Sequence, residues 1–139
     1  MSKQTVFGER AEKTLAKPIG PYSHGVVASG SKIVFIAGQL AWGPDGGLVG
    51  KGDLGQQYRQ VMRNIQAIVE DAGGSMSDIC KIVNYVTRGI FKGELPYGEI
   101  TEARKEFITG DFPVSTLVEV TSLMDPDALV EVDAIAVLD

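Results

Sequence analysis

The last third of the chain limits the possible folds more than any other stretch. Val130-Glu131-Val132-Asp133-Ala134-Ile135-Ala136-Val137 reads as a β-strand, and Phe112-Pro113-Val114-Ser115-Thr116-Leu117-Val118-Glu119-Val120 as a second one just before it. In the later strand Val130, Val132, Ala134 and Ala136 share one face, while Ile135 and Val137 put apolar groups on the other. A sheet with apolar groups on both faces needs cover on both. Glu131 interrupts this run with a carboxylate, which is costly to bury unless it is paired, hydrogen-bonded or put to use. Periodicity leaves two roles open for it. One is a structural carboxylate, held by backbone N–H groups or by an arginine across a subunit interface. The other is a group that orients water or shuttles a proton.

The rest of the chain supplies elements to build around that pair. Two prolines in Lys17-Pro18-Ile19-Gly20-Pro21 oppose both helix and sheet. Tyr22 to Ala28 and Ile33 to Ala37 then read as strands joined through Gly30-Ser31-Lys32 as a hairpin, after a polar lead-in. A glycine-rich loop covers residues 41–52. Asp53 is placed to cap a helix, with Gln56 three residues on. Leu54, Tyr58, Val61, Met62, Ile65, Ile68 and Val69 form its apolar stripe, and Gly73-Gly74 ends it. Ile79 to Arg88 reads as a strand. A second helix opens at Pro96 with Tyr97, Ile100, Arg104, Phe107 and Ile108 on one side, and Gly110 stops it.

The predicted order is β-β-α-β-α-β-β, in one domain over residues 1–139. It reads as an α+β layer with both helices on one face of a mixed sheet. The uncovered face is too apolar for water, which predicts an oligomer closed through that sheet.

Composition narrows the function classes. A net charge of −5 gives no basic footprint for nucleic acid. One cysteine, Cys80, excludes an intrachain disulfide framework and fits a reducing, cytoplasmic setting. Neither a signal-peptide core nor a bilayer-length apolar segment is present in the sequence. Gly50-Lys51 resembles the end of a P-loop, but the first glycine of that pattern falls on Asp45, and Gly52 stands where Ser or Thr belongs. His24 is the only histidine, so a histidine metal cluster is impossible. It suits hydrogen bonding on a strand better than general-base work. Cys80 suits a core better than a nucleophilic site. Arg88, at a strand end, is either solvated or able to fork onto a carboxylate ligand.

Several segments taken in order resemble the RidA/YjgF family. They are Ile19-Gly20-Pro21-Tyr22-Ser23-His24-Gly25-Val26, then Ala37-Gly38-Gln39-Leu40, and Gln57 to Ile68 followed by Ala72-Gly73-Gly74. Phe112-Pro113 with Val118-Glu119-Val120, and Val130 to Val137, complete the set. The resemblance implies a chorismate-mutase-like α+β fold and a homotrimer with small-molecule clefts between subunits. It also implies hydrolysis of reactive enamines and imines without metal or organic cofactor; charge and hydropathy, separately, predict no nucleic-acid or membrane partner. Glu131 would then position the attacking water, Tyr22 would line the cleft, and Gly38 would let backbone approach the ligand.

The departures from the family pattern cluster at the same site. Ser115-Thr116-Leu117 stands where typical members have Arg-Ser-Cys, and Ala37 replaces a serine. A serine hydroxyl does not replace a bidentate guanidinium. The implied function is therefore ammonia release with altered specificity, aminomuconate-type deamination being one branch of it. Ser115, Leu117, Ala37, Gly38, Arg88 and His24 would meet the substrate. The alternative is a trimer that binds small molecules without chemistry.

Overall fold

The computed structural model describes residues 2–87, 89–90 and 98–139. Its elements are β1 (Ser2–Thr5), α1 (Glu9–Thr14), β2 (Val26–Ser29), β3 (Lys32–Gln39), α2 (Leu54–Asp71), β4 (Ile79–Thr87), α3 (Gly98–Phe107), β5 (Val114–Val120) and β6 (Val130–Leu138). A single 3-10 turn, Met76–Asp78, leads into β4. From β2 onward the succession is the predicted one. Pro96 and Tyr97, expected to open the second helix, lie outside the described residues.

The principal sheet is mixed and runs β3-β6-β4-β5. β6 is antiparallel to both β3 and β4, whereas β4 and β5 are parallel, with α3 between them in the chain. A parallel pair needs a long crossover connection, and α3 supplies it. The alternation in β6 sets the layers. Val130, Val132, Ala134, Ala136 and Leu138 are buried beneath the helices, while Glu131, Asp133, Ile135 and Val137 look to the open side.

α2 forms where its sequence predicts. The Asp53 side chain accepts a hydrogen bond from the Gln56 N–H at 2.9 Å, and Gly73 takes the left-handed conformation after the last turn, with φ of 93°. Tyr58, Val61, Met62, Ile65 and Val69 are fully buried against the sheet. Each apolar side chain removed from water this way contributes about 1.5–3 kcal/mol. Gln57 is buried among them. Its amide nitrogen donates to Gly50 O and Asp127 O, and its oxygen accepts from the Leu129 N–H. One side chain thereby ties the glycine-rich loop and the β5–β6 connection to α2.

The N-terminal region departs from expectation. The polar lead-in forms β1 and α1, and β2 pairs antiparallel with β1, from Ser2↔Ser29 to Thr5↔Val26, not with β3 in a hairpin. β3 finds its partner in β6. Gly30 packs so closely on the end of β6 that a Cβ there would overlap Leu138 O. Tyr22 to Gly25, predicted as strand, precede β2; Ser23 N–H donates to Pro113 O at 3.0 Å in an isolated bridge beside β5. Period-two alternation identifies strands but does not name their partners.

The open face of the sheet is apolar, as the sequence predicts. Phe35 is 75% exposed and Ile33 60%, and both lie in register with Ile135 and Val137. No helix among the described residues is long and apolar enough to cross a membrane.

Candidate active site

β3 and β6 run in register from Lys32↔Leu138 to Ile36↔Ala134, and then the register slips before Gln39↔Val132. The slip is a bulge at Ala37 and Gly38, and bulges of this kind re-aim groups beside functional sites. Here the bulge lays Gly38 against the carboxylate of Glu131. A Cβ at position 38 would overlap Glu131 Oε1, so glycine is needed for closeness and not for a special φ. Ala37 is exposed on the same bulge, and its carbonyl accepts from the Gln39 amide at 3.0 Å.

Glu131 and Gly38 open into a cavity of about 410 Å³ lined also by Gln39, Leu40, Trp42, Asn64 and Met124. The Glu131 carboxylate is half-buried and has no hydrogen bond or ion pair among the described residues. Asn64 braces the wall: its amide donates to Leu40 O and to Trp42 O, both at 3.1 Å. The indole N–H of Trp42 donates to Asp125 Oδ2 at 2.9 Å, which fixes the ring. That bond, followed by the Asp127 N–H, holds the Asp125 carboxyl below its ordinary range. On the open face Tyr85 lies in register with Glu131. Its hydroxyl donates to Asp133 Oδ2 at 3.1 Å, and that bond pushes the phenol above its ordinary value.

Tyr22 and His24 sit elsewhere in the chain. His24 Nε2 is 2.7 Å from Ala16 O, its ring stacks on Phe7 at 5.7 Å, and Tyr22 meets it edge-on. His24 lines a second cavity of about 410 Å³ with Phe7, Lys17, Ser23, Asp111 and Phe112. Neither residue lines the Glu131 cavity.

Ser115 and Leu117 lie on the helix-covered side of the sheet, in register with Ile82 and Asn84, whereas Glu131 lies on the open side. Within one chain the two faces do not form a common cleft. Ser115 Oγ accepts from Asn84 Nδ2 at 3.0 Å, and Leu117 packs against the core. Asn84 belongs to a buried polar cluster that hydrophobic patterning does not reveal. Arg104 reaches in from α3, donating through Nε and Nη2 to the Tyr58 hydroxyl at 3.1 and 3.0 Å. Nη2 also reaches Asn84 Oδ1 at 3.1 Å, and Nη1 reaches Pro21 O at 3.2 Å. The stripe of α3 placed Arg104 inward; only the partners were hidden.

Arg88 lies outside the described residues. Cys80 is buried at the start of β4, where burial pushes its thiol up and Lys3 opposes that push. Among the described residues no three His, Cys, Asp or Glu side chains are grouped as metal ligands would be.

The comparisons with known proteins agree with this fold. The family model described as Endoribonuclease L-PSP matches residues 12–138. A RutC family protein of Pyrococcus abyssi is 35% identical over 98% of both chains, and one of Pyrococcus horikoshii is 38% identical over 96% of this chain and 97% of its own. The Rid-family protein YyfB of Yersinia pestis superimposes with a TM-score of 0.83 at 27% identity, covering 99% of this chain and 100% of that one. TdcF of Escherichia coli, solved with bound serine, gives 0.66 at 34% identity, covering 86% of this chain and 90% of its own. With a family model that spans nearly its whole length and relatives matched end to end, the chain belongs to the Endoribonuclease L-PSP family, the RidA/YjgF family that its motifs resemble.

Proposed function

We propose that this protein hydrolyses a small reactive imine or enamine to a carbonyl compound and ammonia, with Glu131 as the group that handles the water. One observation carries the reading: a half-buried carboxylate with no partner among the described residues, laid against Gly38 at the mouth of a cavity large enough for a small molecule. The serine held by TdcF supports a small-molecule ligand for this fold. The description of the family names an endoribonuclease. A net charge of −5 and an acidic cavity are the wrong electrostatics for gripping phosphates, and favour the small molecule.

In this reaction Glu131 takes a proton from water as the water oxygen forms its bond to the iminium carbon. The C=N electron pair moves to nitrogen and gives a neutral amine. Glu131 then returns the proton to that nitrogen. The C–N bond breaks as the hydroxyl collapses to a carbonyl, and its proton leaves with the ammonia. One iminium and one water become one carbonyl and one ammonium, so atoms and charge balance.

The protein works as a homotrimer in this reading, closed over the apolar face that carries Ile33 and Phe35. Tyr22, Ser115 and Leu117 are separated from Glu131 within one chain, and a cleft between subunits would bring them to it. Light scattering at micromolar concentration is expected to give a mass three times that of the chain, and Phe35→Asp a smaller one. A monomeric mass for the unaltered protein would sink this part.

The chemistry is tested by generating imines in situ, with an amino-acid oxidase for imino acids and an amine oxidase for imines without a carboxylate, and following ammonia release against the uncatalysed rate. Acceleration with at least one class is expected; none with either overturns the reading. Gly38→Ala places a methyl group where the Glu131 carboxylate lies. It should lower the accelerated rate at least about tenfold, since misplacing a catalytic group by a fraction of an ångström is costly. Unchanged turnover in Gly38→Ala would show that this carboxylate position is not used.

A further inference from the structure

The lining of the Glu131 cavity has a definite chemical character that the reaction does not require. Its only charged group among the described residues is the Glu131 carboxylate, and no lysine or arginine lines it. Beside this carboxylate stand two large apolar groups that water would be expected to drive inward, yet both are open: Met124 is 84% exposed and Trp42 38%.

Trp42 is held in place, and so is the turn that carries Met124. Trp42 is fixed at its ring by Asp125 and at its carbonyl by Asn64. The Asp125 side chain also accepts from the Asp127 N–H at 2.9 Å, and Asp127 is tied in turn to Lys51 and, through its carbonyl, to Gln57. The turn that carries Met124 is thus anchored to the same wall as the indole. A rigid aromatic and a polarisable thioether lining the same cavity as one negative charge make a site for a flat apolar body bearing a positive charge. A ligand carboxylate would meet repulsion there, with no cation among the described lining residues to offset it.

We propose that the Glu131 cavity selects a protonated imine or amidine-like cation on an aromatic or similarly flat body, held between Trp42 and Glu131, and discriminates against substrates that carry a carboxylate. This rests on the imine-hydrolase reading for its reaction, but the binding preference stands on the cavity walls and is tested separately.

Trp42 is the only tryptophan of the chain, so intrinsic fluorescence reports from the cavity itself. Titration of the full chain with benzamidine, a stable flat cation, is expected to change the emission saturably. Benzoate, with the same ring and the opposite charge, should bind at least about tenfold more weakly, and Glu131→Gln should weaken benzamidine by about tenfold, the scale of one close charge contact. No saturable change with benzamidine, equal or tighter binding of benzoate, or full affinity in Glu131→Gln would each overturn the proposal.

Turnover adds a matched pair: the imine from benzylamine against the imino acid from phenylglycine, which differ by one carboxylate. Faster ammonia release from the first supports the proposal. Faster release from the second overturns the charge selection while leaving the hydrolase reading intact. Selective benzamidine binding without turnover of either imine upholds the site and sinks the hydrolase.

Discussion

Glu131→Gln is expected to slow ammonia release by a hundredfold or more while leaving the fold intact. Glutamine keeps the size and the hydrogen-bonding reach of glutamate but does not accept a proton, and positioned general-base groups contribute about 10²–10⁴ in rate. The carboxylate is half-buried beside Gly38 and lacks a hydrogen bond or ion pair among the described residues, so neutralising it breaks no described contact. The denaturation midpoint should therefore move little, and any loss of rate reads as lost chemistry. A rate within about threefold of the unaltered protein would remove Glu131 from the mechanism. A fall in the midpoint as large as the fall in rate would reassign it to structure.

Glu131 was legible in the sequence because it leaves a local mark, a carboxylate set in an apolar strand, whereas Gly38 entered only through the family resemblance. Their closeness was not legible, since it depends on the bulge that shifts β3 by one residue against β6. Trp42 and Met124 left no mark: each is an isolated apolar residue in a loop, brought together by a bond from Trp42 to Asp125 across 83 residues of sequence.

The apolar stripe of α2 and the alternation of β6 fixed the helix-covered core, because burial there follows side-chain period. The partner of β2 did not follow from any period. β1 is a strand of four polar residues, and its pairing with β2 is a choice among sheet edges that local pattern does not encode. Ser115 illustrates the same limit. Its strand was predicted correctly, but the face it shares with Asn84 puts it under the helices of its own chain and away from the Glu131 cavity.

Tyr58→Phe should destabilise the protein by about 3 kcal/mol, although it removes one oxygen atom. That oxygen accepts from two nitrogens of a buried guanidinium and donates to Asn84 Oδ1 at 3.0 Å. Arg104 has no ion-pair partner among the described residues, so neutral oxygens carry its solvation, and hydrogen bonds to a charged group are worth about 1.5–3 kcal/mol each. Phenylalanine fills the same space and leaves two N–H groups of a buried cation unpaired. Urea unfolding at equal chain concentration should show a lower midpoint with an unchanged slope.

Removing the charge as well separates this account from a packing effect. Tyr58→Phe with Arg104→Met should lose less than Tyr58→Phe alone, because the stranded cation is gone. Additive losses would reject the network. Burial pushes the Tyr58 phenol above its ordinary 10.0, with Arg104 pulling the other way. Above pH ~10 the unfolded chain releases this proton while the folded chain keeps it, so stability falls as pH rises from there towards the folded value; below that window Tyr58 contributes no slope. Tyr85, also raised, adds a fall of the same sign in both proteins. The difference between the unaltered chain and Tyr58→Phe is therefore what isolates Tyr58: it should be constant up to about pH 10 and shrink beyond it. A difference that stayed constant into that range would mean that the pull of Arg104 cancels the push of burial, and would overturn the raised phenol.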